Sequence, residues 1–297
     1  ILQAFAEVKP QLVIAVPLII EKIIKKNVLP KLETPTMKLL LKVPIVSDKI
    51  KATVREQIMN AFGGNFYEIV VGGAAFNQEV EQFLRSINFP YTVGYGMTEC
   101  APIICYEDWK RFKQASCGKP VPRMEVKILS PDPQNIVGEI VCKGDNVMLG
   151  YYKNPEATAE VLDKDGWLHT GDLGVMDAEG NITIKGRSKN MLLGPSGQNI
   201  YPEEIEDKLS NMPYVSESII IQQADGKLAA LIYPDFDDAF AHGLDEKAIE
   251  KAMEENRVQL NTELPAYSQI ARYKIYHEEF EKTPKKSIKR FLYQEVR

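Results

Sequence analysis

The chain has 297 residues, room for roughly two domains at about 150 residues each. Hydrophobic residues make up 44% and charged residues 26%, a globular composition that excludes a disordered chain. A net charge of −5 excludes the basic footprint of a nucleic-acid binder, and the longest apolar run, Leu12–Ile20, is about half of a membrane span.

In chain order, Leu12–Val16 reads as a buried strand ending at Pro17, and Leu18–Lys26 as a helix with apolar residues at 19, 20, 23 and 24. Phe66–Val71 predicts a second buried strand, closed by Gly72-Gly73. Gln78–Ile87 is again helical, with apolar residues at 80, 83, 84 and 87, and Tyr91–Gly94 is a short third strand. Strands alternating with helices predict a mostly parallel α/β sheet. From Gly118 to Lys185 the runs become short and β-branched: Glu125–Leu129, Gly138–Cys142 and Asn181–Ile184. Turn signals such as Ser130-Pro131-Asp132-Pro133 separate them, which predicts an antiparallel β region, a small barrel or a distorted sheet. Beyond Gly186, Pro202–Leu209 reads as a helix, Ser216–Gln222 and Lys227–Tyr233 as paired strands, and Leu244–Leu260 as a further helix. The expected fold class is α/β and α+β. It comprises an α/β subdomain over 1–116, a β-rich subdomain over 117–188 and a small α+β C-terminal domain over 189–297.

Cys100, Cys105, Cys117 and Cys142 form no CxxC pair and lie away from the three histidines. That spacing argues against a zinc site and for free thiols in a reducing cytoplasm. Gly94-Tyr95-Gly96-Met97-Thr98-Glu99 sits where a strand of an α/β sheet ends, the usual place for a ligand. There the glycines permit close approach, Tyr95 offers a ring face to a base, Thr98 a hydroxyl to a phosphate and Glu99 a hard oxygen to Mg²⁺. Taken alone, the same residues also make an ordinary strand-to-loop turn. Gly72-Gly73-Ala74-Ala75 is either a second wall of a nucleotide pocket or a packing device. Asp172, after Thr170-Gly171, either accepts from two vicinal ribose hydroxyls or finishes a turn. Arg187, after a strand, either pairs with phosphate or ribose or lies on the surface of a domain junction. Gly194–Tyr201 is a glycine-rich loop running into a helix whose Glu203 and Glu204 argue against phosphate binding there. Lys282–Arg290 holds five positive charges, by default a solvated basic face and otherwise a source of lysine for a phosphate.

The order and spacing of these stretches resemble the adenylate-forming superfamily, which includes acyl-CoA synthetases, luciferases and peptide-synthetase adenylation domains. Gly72-Gly73-Ala74 is followed by Tyr95-Gly96-Met97-Thr98-Glu99, Gly166-Trp167 with Thr170-Gly171-Asp172, Gly186-Arg187-Ser188-Lys189, and Tyr201-Pro202-Glu203-Glu204-Ile205-Glu206. Val16–Lys22, Gly118-Lys119-Pro120 and Gly150-Tyr151-Tyr152-Lys153-Asn154-Pro155 are most similar to long-chain fatty acyl-CoA ligases. The resemblance implies that Gly73 and Ala74 contact adenine, with Tyr95 stacking on it and Gly96 beside it. It further implies that Thr98 approaches the phosphate, that Glu99 holds Mg²⁺, and that Asp172 and Arg187 bind the ribose. Lys189 falls at the family's hinge, about which the C-terminal domain rotates between two half-reactions. The implied substrates are a fatty acid, ATP and coenzyme A, with no nucleic acid. The implied location is cytoplasmic; peripheral contact with the inner face of the membrane stays open, and no oligomeric state is implied.

Two departures stand against the pattern. The family's Thr-Ser-Gly-Thr-Thr-Gly phosphate loop is absent, so the expectation is that the chain, which opens on Ile1, is the C-terminal part of a longer enzyme, with a partial first subdomain and no activity by itself. The family's C-terminal pattern, anchored on Ile288-Lys289-Arg290, puts Ser287 at the catalytic lysine position; Lys286, one residue earlier, is the expected catalytic lysine. Ser287 keeps open a non-catalytic acyl- or nucleotide-binding relative, and the substrate class keeps open an adenylating enzyme for another carboxylic acid.

Overall fold

Helix α1 (Leu2–Val8), strand β1 (Leu12–Ala15) and helix α2 (Pro17–Ile23) open the chain, and the proline at the first helical position of α2 costs no hydrogen bond. A π turn over Ile24–Val28 leads to α3 (Leu29–Leu32), α4 (Pro35–Leu40) and α5 (Pro44–Ala61). Then come β2 (Glu68–Val71), α6 (Gln78–Ser86) and β3 (Tyr91–Val93), and the three strands form a parallel sheet in the order β1–β2–β3. Val13, Ile20, Ile58, Phe62, Ile69 and Leu84 belong to its core. The run at Leu12 is a strand, but not the buried one expected: it is the edge of the sheet, and Ile14 is 78% exposed while Val13 is buried. Alternation along a strand sends neighbours to opposite faces, and an apolar run does not reveal that one face is bare.

An antiparallel region follows. Strands β4 (Tyr95–Gly96), β5 (Ile103–Tyr106) and β6 (Lys119–Pro120) make one small sheet. Strands β7 (Met124–Leu129) and β8 (Gly138–Gly144), helix α7 (Pro155–Val161), and strands β9 (Leu168–Met176) and β10 (Ile182–Arg187) give a second sheet in the order β10–β9–β8–β7. All four cysteines are free and buried in the core of this region.

After β10 the chain forms a hairpin of β11 (Leu192–Leu193) and β12 (Asn199–Ile200), then α8 (Pro202–Leu209), β13 (Val215–Gln222) and β14 (Leu228–Pro234). Helices α9 (Phe236–Ala241) and α10 (Glu246–Glu263) and strand β15 (Ile270–Ile275) complete it. In the sheet β13–β14–β15 the first pair is antiparallel and the second parallel. Both faces are covered: Ile220, Ala230 and Ile232 pack with Leu209, Met253 and Leu260, whereas Ile219, Ile221 and Leu231 pack with Phe280.

A computed structural model describes residues 2–283 and 287–293. The chain divides into two units, Ile1–Thr170 with Gly174–Ile184, and Gly171–Leu173 with Lys185–Arg297. The mixed helix–strand architecture with open sheets is the α/β and α+β class that the sequence predicts. Among the described residues, no helix is long and apolar enough to cross a membrane.

Candidate functional site

In the first unit, two loops leave neighbouring parallel strands at the same end, since Val71 of β2 is in register with Val93 of β3. Ligands of open α/β sheets bind outside this carboxyl end. The first loop starts at Gly72, whose N–H donates to the Ala15 carbonyl at 3.1 Å. Gly73 and Ala74 are exposed, and nothing lies within 4 Å of where a Cβ on Gly73 would point. Glu21 anchors the loop's far end: its Oε1 accepts from the Asn77 N–H at 2.9 Å, and Asn77 Oδ1 caps α6 by accepting from the Val80 N–H at 3.1 Å. Glu21 carries no local signal of this role, because 56 positions separate it from Asn77.

The chain leaving β3 carries Tyr95 and Gly96 in strand β4 and then Thr98 and Glu99 in the turn beyond it. Tyr95 is buried with Cys100, Ile104 and Cys105. Gly96 has a packing reason to be glycine, since a Cβ there would fall 2.1 Å from the Pro102 carbonyl oxygen. Thr98 opens a 3₁₀ turn, Thr98–Cys100, and is exposed. Glu99 is half-buried, and its Oε1 accepts from the Tyr151 phenol at 2.9 Å. That hydrogen bond to the carboxylate pushes the phenol above its ordinary pKa. The turn's backbone is also held: the Met148 N–H donates to the Glu99 carbonyl at 2.8 Å, and Asn146 Nδ2 donates to the carbonyls of Cys100 at 2.6 Å and Ile103 at 2.8 Å.

A divalent cation fits this donor set. Glu99 Oε2 is a hard oxygen with no hydrogen-bond partner among the described residues. Among the described residues, no group of three or more His, Cys, Asp or Glu side chains could hold a metal alone. A single carboxylate is what Mg²⁺ needs when water and substrate phosphates supply its other ligands.

In the second unit, Asp172 lies in the middle of β9 rather than at the end of a turn, and is 5% exposed. Arg187 ends β10 rather than following it, and its Nε meets Asp172 Oδ1 at 2.9 Å. Lys189 is exposed in the 3₁₀ turn Ser188–Asn190. The glutamates at the start of α8 tie that turn and the strand before it: Glu203 Oε1 accepts from Asn190 Nδ2 at 2.6 Å, and Glu204 pairs with Lys185 at 2.8 Å. The glycine-rich stretch before α8 is an ordered hairpin turn, in which the Gly194 N–H donates to the Gln198 carbonyl at 2.8 Å.

Of the C-terminal cations, the described ones, Lys282, Lys289 and Arg290, are held in ion pairs rather than standing as a solvated face. Lys282 pairs with Glu217 at 2.6 Å and Glu279 at 2.7 Å, Lys289 with Glu281 at 3.1 Å, and Arg290 with Glu206 at 2.7 Å. Ser287 is exposed, and its carbonyl accepts from the Thr283 N–H at 2.8 Å. Lys286, the expected catalytic lysine, lies outside the described residues.

Thus Gly73 and Ala74 follow the carboxyl end of β2, Tyr95, Gly96, Thr98 and Glu99 follow that of its neighbour β3 in the first unit, and Asp172 and Arg187 share one ion pair in the second. A family model described as AMP-binding enzyme matches residues 1–152, and one described as AMP-binding enzyme C-terminal domain matches residues 190–295. The chain belongs to the AMP-binding enzyme family. A long-chain-fatty-acid–CoA ligase of Escherichia coli O6:H1 is 43% identical over 152 residues, 49% of this chain and 27% of that protein. A 4-coumarate–CoA ligase of Solanum tuberosum is 35% identical over 196 residues, 61% of this chain and 36% of that protein. The matched stretches thus span only about a quarter to just over a third of the length of these curated relatives. The o-succinylbenzoate CoA synthetase of Bacillus subtilis, solved with an acyl-adenylate intermediate, has the same fold: the TM-score is 0.73 at 22% identity, covering 100% of this chain and 53% of that one.

Proposed function

We propose that this chain is part of an ATP-dependent ligase that joins a long-chain fatty acid to coenzyme A through an acyl-adenylate. The observation that carries the reading is the Thr98–Glu99 turn at the carboxyl end of a parallel sheet, with one carboxylate oxygen held and the other open. The similarity to the Escherichia coli ligase supports the fatty-acid class, and the similarity to the Solanum tuberosum ligase supports the broader acid–CoA chemistry.

In this reading the fatty carboxylate attacks the α-phosphorus of ATP, with loss of pyrophosphate, and the coenzyme A thiol then displaces AMP. Gly73 and Ala74 give adenine an unobstructed approach, beside Tyr95 and Gly96. The Thr98 hydroxyl donates to a phosphate oxygen, and Glu99 would hold Mg²⁺. When bound, Mg²⁺ offsets charge building on the phosphate oxygens. Asp172 accepts from the ribose hydroxyls, with Arg187 holding its other face. Lys189 serves as the hinge between a large domain of subdomains 1–116 and 117–188 and a C-terminal domain over 189–297, with Lys286 as the catalytic lysine. Incubating the full-length protein with ATP, oleate and coenzyme A tests this. Oleoyl-CoA, AMP and pyrophosphate are expected, and 4-coumarate turned over in place of oleate would move the substrate class to aryl acids.

A second reading, of a relative that binds acyl or nucleotide groups without turnover, is favoured by exposed Ser287 at the family's lysine position. Adenylation that is absent in the wild type and restored by Ser287→Lys would establish it.

A further inference from the structure

The residues assigned to the chemistry above leave stretch 146–158 without a task, yet it makes four hydrogen bonds to the segment around Glu99. Asn146 Nδ2 donates to the carbonyls on either side of Pro102's bend, those of Cys100 and Ile103, at 2.6 and 2.8 Å. The Met148 N–H donates to the Glu99 carbonyl at 2.8 Å, and the Tyr151 phenol to Glu99 Oε1 at 2.9 Å. Backbone and side chain of the same acid are therefore held from one neighbouring segment.

That segment is itself fixed. Asn154 Oδ1 caps α7 by accepting from the Ala157 N–H at 3.0 Å. Thr158 Oγ1 accepts from the Tyr151 N–H at 2.9 Å and donates to the Asn154 carbonyl at 2.8 Å. A Cβ on Gly150 would fall 2.9 Å from the Thr158 methyl, so residue 150 must be glycine for the strap to lie against α7. The run Gly150-Tyr151-…-Asn154-Pro155-…-Thr158 thus builds a rigid arm whose Tyr151 ring reaches back to Glu99. An exposed hydrogen bond between flexible side chains contributes little; here the acceptor's backbone and the donor's backbone are both pinned.

We propose that Asn146 and Tyr151 are positioning residues for the divalent cation. Asn146 sets the course of the turn, and Tyr151 holds Glu99 by Oε1 so that Oε2 stands ready for the metal that accompanies a nucleotide. Partners of this kind commonly change metal affinity by about 10- to 100-fold when removed. The inference rests on the nucleotide reading above.

Water-proton relaxation with Mn²⁺ and ATP tests it in the full-length protein. Tyr151→Phe, which keeps the ring, raises the half-saturating Mn²⁺ concentration about tenfold with no change in the thermal midpoint. Asn146→Ala raises it too; should that variant unfold, the Tyr151→Phe arm still decides. In a Glu99→Gln background, Tyr151→Phe has no further effect. A Tyr151→Phe titration that overlays the wild type overturns the inference, as does an equal shift in the Glu99→Gln background. A wild type that takes up no Mn²⁺ with ATP instead defeats the nucleotide reading, and this inference with it.

Discussion

Arg187 Nε lies 2.9 Å from Asp172 Oδ1, joining the end of one β strand to the middle of the next through a carboxylate that is almost fully buried. A buried charge needs such a partner, and the guanidinium that supplies it is itself largely exposed. Asp172→Ala is expected to raise the KM for ATP about 100-fold, as for two lost charge-assisted hydrogen bonds, and to change the KM for the fatty acid little. Steady-state kinetics with each substrate varied in turn will show it; equal effects on both substrates would contradict the ribose assignment.

Gly96 presses its Cα against the Pro102 carbonyl. Gly96→Ala therefore has to push the two backbones apart, and overpacking of this kind typically costs about 1–3 kcal/mol. The displaced residues are those leading to Glu99, so ATP binding should weaken alongside stability. Chemical denaturation and nucleotide titration of the one variant check both effects.

Arg290 binds Glu206 through Nη1 and donates to the Ile220 carbonyl from Nη2 at 3.0 Å, pinning the C-terminal segment to α8 and β13. Arg290→Met leaves the Glu206 carboxylate without its cation. It should destabilise the protein by about 3 kcal/mol, and adding Glu206→Gln should recover part of that loss. Denaturant unfolding of the single and double variants measures the coupling.

Asp177 sets a pH dependence. Burial opposes its charge, but the Lys113 ammonium at 2.7 Å, the Asn181 side-chain amide and the N–H groups of Glu179 and Asn181 outweigh that and hold the carboxyl well below its ordinary value of 3.8. A folded-state pKa below the unfolded one adds stability that is complete above the ordinary value and lost as the pH falls below it. Asp177→Asn is thus expected to cost no more than about 1 kcal/mol at neutral pH, since the site is partly solvated, and nothing once the pH is well under 3.8. Thermal unfolding of both proteins across that range will show whether the gap closes.

Much of the fold was readable because periodicity and helix-start chemistry report local structure: Gln78–Ser86 is a helix where the apolar spacing put it, and Pro202–Leu209 one that begins on its proline. The readings that changed concern which face is covered and which residues meet. The Leu12 run shows apolar character but not the bare side of an edge strand. Thr170-Gly171-Asp172 resembles a turn in isolation, yet it lies inside β9, with Gly171 taking a left-handed φ of 70° within the strand. Tyr151 and Glu99 are 52 positions apart, and Glu68 accepts from the N–H of Trp109 across 41. Such pairs arise only when the chain folds, so no spacing announces them. The glycine at 96, read as room for a ligand, is in the first place room for Pro102.

ATP–pyrophosphate exchange by the full-length protein, with and without a long-chain fatty acid, tests most directly whether Glu99 belongs to an adenylating centre. Exchange should depend on the fatty acid and fall at least about 100-fold in Glu99→Gln, the order expected when one group stabilising transition-state charge is removed. Exchange that is absent with every carboxylic acid tried, or equal in wild type and Glu99→Gln, would contradict it.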